Sequence, residues 1–185
     1  MDIDLVRYRD ILSPEAQELL NKMLPKYYEK QEEVKRIPVS VLIWGPSIEI
    51  STKLSDARER LRELLREDGH LAMFSEELCS EESGLSTVTQ ECLQAEQFNV
   101  IISIPSTPGS IAESHNFSSI QKVCNKLVMF LNSEYRSGYS NSTLETLSVR
   151  GAKIFYYENE DDSETIINIS IDYISKIREC KYLYG

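Results

Sequence analysis

The segment Pro108-Gly109-Ser110-Ile111-Ala112-Glu113 brings a turn-forming Pro-Gly pair, a hydroxyl and a carboxylate together in one short stretch. Ser110-Ile111-Ala112-Glu113 matches the S-x-x-E capping box, in which the serine caps a helix and the glutamate bonds back to the cap N–H. On local pattern alone the capping role is the stronger one. Position argues for chemistry as well. The segment follows residues 100–104, an apolar run closed by Pro105 that reads as a central strand, so Glu113 falls on the first turn of the next helix. The positive end of a helix keeps a carboxylate ionised, as a nucleophile requires. Ser110 either caps that helix or binds a phosphate or hydroxyl at the same terminus.

The elements that must position these residues alternate along the chain. Apolar runs at 39–44, 71–74, 100–104, 126–131 and 153–157 have the length and lack of alternation of strands buried on both faces. Between them, Ala57, Leu61, Leu64 and Leu65 share one helical face behind a cap at Ser55 or Asp56, and Gly69 ends that helix. Leu85, Val88, Cys92 and Leu93 recur at helical spacing, as do Phe117, Ile120 and Cys124. A short helix is expected around 144–149, and Ile167, Ile171 and Ile174 mark a last one. Five strands alternating with helices predict an α/β fold with a parallel sheet covered on both faces. Ligands of such sheets bind beyond the carboxyl ends of the strands, where strand order reverses. With order 2-1-3-4-5, the first and third strands flank that crevice. Their ends carry Trp44, Gly45, Pro46 and Ser47 on one side and residues 105–113 on the other.

Residues 1–37 are read as an N-terminal helical arm and 38–185 as one domain. Ser13-Pro14-Glu15 is a helix start, Leu19, Leu20, Met23 and Leu24 give an apolar stripe, and Pro25 is expected to interrupt or kink it. Packing of the arm on its own domain is favoured over docking on a partner. The formal net charge of −10 over 185 residues argues against a surface built to neutralise nucleic-acid phosphates, though not against a local pocket for one phosphate. No apolar run approaches the ~20 residues of a membrane helix, and the acidic amino terminus does not resemble a secretory signal. Cys79, Cys92, Cys124 and Cys180 form no CxxC pair, and only His70 and His115 could join them, so neither metal nor cofactor is expected and the thiols read as reduced in a cytoplasmic protein.

The run Ile101-Ile102-Ser103-Ile104-Pro105-Ser106-Thr107-Pro108-Gly109-Ser110-Ile111-Ala112-Glu113, followed by Phe117, resembles the SPGS-x-x-E segment of nucleoside 2-deoxyribosyltransferase-like effectors encoded beside retron reverse transcriptases. The resemblance extends to Leu42-Ile43-Trp44-Gly45, to Arg58, to Phe74-Ser75-Glu76-Glu77-Leu78, where such effectors have an aromatic–Pro–Glu–Asp–Leu-type run, and to Lys126-Leu127-Val128-Met129-Phe130. It implies a Rossmann/flavodoxin-like three-layer domain that binds a nucleoside or nucleotide (NAD among them) and cleaves or exchanges its N-glycosidic bond, acting as a toxin in anti-phage defence. It also implies a homo-oligomer and a reverse transcriptase–retron DNA complex as partner. On this resemblance Glu113 is the nucleophile. Glu76, with Glu77 as alternative, is the candidate second carboxylate; a solvated acidic turn explains both equally well.

Trp44, Gly45, Pro46, Ser47, Pro108, Gly109 and Ser110 are the candidate substrate contacts, with Trp44 stacking on a base or simply filling the core. Arg58 either meets a phosphate or lies on an exposed helix face. The polar stretch holding Tyr135, Arg136, Gly138, Tyr139, Ser140 and Asn141 is either a lid or a plain surface loop. His115 stands two residues from Glu113, a spacing that points the two apart on a helix. Deoxyribosyltransferases often carry an aspartate shortly before the nucleophile, where this chain has Ser106 and Thr107. That departure leaves hydrolysis, binding without catalysis and an unusual substrate open. A non-catalytic nucleotide sensor and a Toll/interleukin-receptor-like NADase are the alternatives.

Overall fold

In a computed structural model that describes residues 11–107, 110–111, 120–136 and 139–185, Ser13 Oγ accepts the Ala16 N–H at 3.3 Å and helix α1 runs over Pro14–Lys35. The predicted start is met, but Pro25 does not stop the helix, which continues ten residues past it to Lys35. Proline removes its own N–H and crowds the carbonyl four residues earlier, which weakens or kinks a helix without having to end it. On an exposed helix water can meet the carbonyl it leaves, while pairs such as Lys30–Glu33 (2.5 Å) support the turns beyond.

The rest is a five-stranded, all-parallel sheet in the order β2-β1-β3-β4-β5. Its strands are β1 (Ser40–Trp44), β2 (Leu71–Phe74), β3 (Val100–Ser103), β4 (Leu127–Asn132) and β5 (Lys153–Tyr157). Its helices are α2 (Lys53–Glu67), α3 (Thr87–Gln97), α4 (Gln121–Cys124), α5 (Tyr139–Val149) and α6 (Ser163–Tyr184). Side chains alternate across each strand, so the strands serve two cores. Val41 and Ile43 of β1 join Leu54, Leu61 and Leu65 of α2 and Ile166, Ile167 and Ile174 of α6. Leu42 and Trp44 face the other way, with Ala95, Ile111, Val123, Leu144 and Leu147. The chain is therefore an α/β Rossmann-like three-layer fold, with α1 an added helix that meets α6 and has no fully buried residue. No helix of the described residues is long and apolar enough to cross a membrane.

Three expected elements differ from those observed. Helix α2 begins behind Thr52, whose Oγ1 accepts the Ser55 N–H while Ser55 Oγ accepts the Thr52 N–H; Ser55 is thus the third residue of the box, not the cap. On α3 the apolar stripe does not mark the core face: Val88 and Leu93 are exposed, while Ala95 is buried. In the polar stretch after β4, Ser133–Arg136 is a 3-10 turn and α5 starts at Tyr139. Arg136 lies over the Tyr156 ring there (4.5 Å).

At the amino edge of the sheet, α6 is fastened by a cluster of the buried His70 and Arg178 with the exposed Asp68. His70 Nδ1 accepts the Val39 N–H (3.0 Å), Arg178 Nη2 donates to Asp68 Oδ2 (2.7 Å) and to Asp68 O (3.0 Å), and His70 Nε2 lies 3.2 Å from Asp68 Oδ2 and 2.6 Å from Arg178 Nη2. Burial and the Arg178 charge hold the imidazole below its ordinary value of 6.5, against the opposing pull of Asp68. The unfolded chain therefore takes the proton first, so this contribution is complete above pH 6.5 and is lost as pH falls through 6.5 toward the lower folded value. We expect the melting temperature to drop over that window. His70→Leu, which orphans the Val39 N–H, should cost about 1–3 kcal/mol at neutral pH and flatten the pH dependence there. An unchanged slope in the variant would show that His70 is not its source.

Candidate functional site

Strand order reverses between β1 and β3, and the loops leaving their carboxyl ends touch. The Ile104 N–H donates to Trp44 O (3.0 Å), extending the pairing one residue past β3. Beyond it, Thr107 Oγ1 accepts the Ser110 N–H (3.1 Å), Ser110 Oγ accepts the Thr107 N–H (3.0 Å), and the Ile111 N–H donates to Thr107 O (3.0 Å). Thr107 is thus the cap and Ser110 a helical residue behind it, so Ser110 is not the capping serine of an S-x-x-E box. The same Thr-x-x-Ser device, Thr52 with Ser55, starts the helix after β1. Pro108, Gly109 and Glu113, with His115, Phe117 and Gly138, lie outside the described residues.

On the β1 side the organising group is Arg58. Its side chain is 1% exposed, so the reading as an exposed helix face does not hold. Nη1 donates to Pro46 O (2.9 Å) and Glu76 Oε1 (2.6 Å), and Nη2 donates to Ile43 O (2.8 Å) and Glu76 Oε2 (2.7 Å). Four Nη–H groups meet four acceptors, so a phosphate would have to displace Glu76 to reach them. The guanidinium also lies over the Phe74 ring at 4.1 Å. Gly45 is the neighbour that permits this: a Cβ there would stand 3.1 Å from Arg58 Cδ and 3.4 Å from Ile104 O. Its missing side chain admits an arginine stem of the same chain.

Glu76 keeps its carboxylate half-exposed (47%) at the end of β2. Burial pushes its proton affinity up, but the Arg58 bonds and charge, its own backbone N–H and Ser75 Oγ outweigh that and hold it below the ordinary 4.5. It is ionised at neutral pH, suited to accepting hydrogen bonds and not to donating a proton. Glu77 serves the fold. Oε2 accepts the Phe74 N–H (2.7 Å), and Oε1 accepts from Arg62 (3.0 Å). Arg66 Nε donates to Ala72 O (2.8 Å), so Arg58, Arg62 and Arg66, four residues apart, tie α2 to β2 and its following turn.

Trp44 is 8% exposed within the apolar layer, which is the core placement and not a stacking surface. Ser47 Oγ accepts the Glu49 N–H (3.2 Å) within its own turn. A cavity of about 170 Å³ lies elsewhere, between α2 and α6, lined by Lys53, Asp56, Ala57, Arg60, Ser163 and Ile167 and bridged by the pairs Lys53–Asp161 and Arg60–Glu164. Among the described residues no group of three His, Cys, Asp or Glu side chains is placed to hold a metal ion.

The fold and the strand-order reversal between β1 and β3 define an α/β protein whose switch point, beyond the carboxyl ends of those strands, is where open parallel sheets bind ligands. No family model matches the chain, and no curated protein matches it.

Removing Glu76 leaves a buried guanidinium without its counter-ion, whereas removing an ordinary half-exposed glutamate leaves nothing buried. Glu76→Gln should cost about 2–4 kcal/mol in urea denaturation, against less than about 0.5 for Glu59→Gln. Because the folded Glu76 binds its proton more weakly than the unfolded one, its contribution is present above pH 4.5 and fades as pH falls below it. The acid limb of the stability curve should shrink in Glu76→Gln. Equal costs for Glu76→Gln and Glu59→Gln would contradict the pairing.

Proposed function

We propose that this chain is an N-glycosidase of the nucleoside 2-deoxyribosyltransferase-like type, acting on a nucleotide in the crevice between β1 and β3 with Glu113 as nucleophile. The observation that carries the reading is the Thr107–Ser110 box. The helix after β3 starts at the crevice with a cap of its own, so Ser110 at the cap, which the S-x-x-E explanation of Glu113 requires, is replaced by Thr107. In the reaction, a Glu113 carboxylate oxygen bonds to the anomeric carbon as the bond from that carbon to the base nitrogen breaks. The electron pair leaves with the base, which takes up a proton, and water then hydrolyses the glycosyl ester. Glu76, ionised on Arg58, would accept a sugar hydroxyl and would not supply that proton. NAD and deoxynucleotides are the substrates to try first, and a toxin role in anti-phage defence beside a retron reverse transcriptase fits this chemistry. With a net charge of −10, contact with retron DNA is better made through that protein partner than directly.

A nucleotide sensor without catalysis is the second reading. The Arg58–Glu76 pair favours it, since Glu76, at the end of β2, is held ionised and offers no proton to a leaving base.

The test is release of free base from NAD and from panels of ribo- and deoxynucleotides by the full chain, alone and with its native partner. Glu113→Gln should lower release at least about a thousandfold. Release unchanged in that variant removes Glu113 as nucleophile. Tight nucleotide binding without release, lost in Ser110→Ala, selects the sensor.

A further inference from the structure

Helix α1 presents more apolar surface than its own domain covers. Ala16, Leu20, Leu24 and Val34 are half-buried, and α1 meets α6. Beside them Leu19, Met23 and Tyr27 are 60%, 57% and 45% exposed. Spaced i, i+4 and i+8, they form one continuous ridge along the helix. We propose that this ridge is the surface through which the chain pairs with a second copy of itself, α1 against α1 and antiparallel, on a twofold axis passing beside Met23.

The ridge is self-complementary, as a twofold contact must be. Met23 is its midpoint, with Leu19 one turn before and Tyr27 one turn after, so the axis sets Leu19 against Tyr27 of the second copy and Met23 against its own counterpart. The charges at the ends agree with the same axis. Glu15 stands eight residues before Met23 and Lys30 seven after, so an antiparallel pair brings each Glu15 toward the other copy's Lys30. Lys30 already holds Glu33 at 2.5 Å with 60% of its side chain exposed, which leaves it room for a second carboxylate. Net charge points to the same helix. The chain carries −10, yet acidic and basic residues nearly balance along α1, so two copies approach there with little of the repulsion that opposes contact elsewhere. Tyr27 is pre-positioned: its hydroxyl accepts from Gln31 Nε2 at 2.8 Å, holding the ring on the ridge.

Sedimentation velocity of the full chain should show a concentration-dependent dimer. Met23→Glu should weaken it at least about tenfold, with no loss of melting temperature at concentrations where the parent chain is monomeric, since Met23 is exposed. Met23→Cys, under mild oxidation, should give a dimer crosslinked between the two copies of the introduced thiol, and Val149→Cys, 89% exposed on α5, should not. A chain that stays monomeric at all concentrations overturns the proposal. So does a dimer that is indifferent to Met23→Glu and forms no crosslink in the Met23→Cys variant.

Discussion

A guanidinium buried to 1% exposure needs acceptors, and the region around β1 and β2 supplies one to each of the four Nη–H groups of Arg58, leaving its Nε–H without a hydrogen bond. Ile43 O and Pro46 O turn toward it, one at the end of β1 and one in the loop beyond, and Glu76 comes from the turn after β2 to supply the charge. Gly45 gives up its side chain so that the arginine stem can pass. Phe74 provides the apolar face on which the guanidinium rests. One residue of α2 thus fixes three stretches of backbone at the carboxyl edge of the sheet, and with them one wall of the crevice.

That constraint divides the labour within the crevice. The β1 wall is largely occupied within itself: its arginine is neutralised by Glu76, its tryptophan is packed, and Ser47 accepts within its own turn. Across the gap, the loop after β3 is fixed by one Thr–Ser box and leads into residues 108–113. Open parallel sheets bind ligands between two such loops, and the nucleotide proposed above would enter between the β1 loop and the helix start at Ser110.

The strands were legible in the sequence because parallel strands buried on both faces are uninterrupted apolar runs, and here Gly45, Gly69 and Pro105 mark their limits. The parallel sheet followed from the alternation with helices, while the order 2-1-3-4-5 was one assumption among the doubly wound orders and is the one the structure has. Arg58 was not legible in the same way. In Asp56-Ala57-Arg58-Glu59-Arg60-Leu61-Arg62 nothing local separates it from Arg60, which is exposed; the difference lies in acceptors on residues 43, 46 and 76. A signal existed in the four-residue spacing of Arg58, Arg62 and Arg66 along one face. The helix caps were misplaced for a related reason. Serine is the commoner cue, and both boxes use threonine as the cap with serine three residues later. Pro25 lies inside α1 and does not end it, because on an exposed helix the turns on either side outweigh one lost bond.

A structure of the chain with a bound nucleotide tests the central claim most directly. The sugar and base should lie between the loop at Gly45–Ser47 and the loop at Ser106–Ser110, with the Arg58–Glu76 pair intact beneath. A nucleotide seated in the cavity between α2 and α6, on Lys53 and Arg60, with the β1–β3 crevice empty, would contradict it.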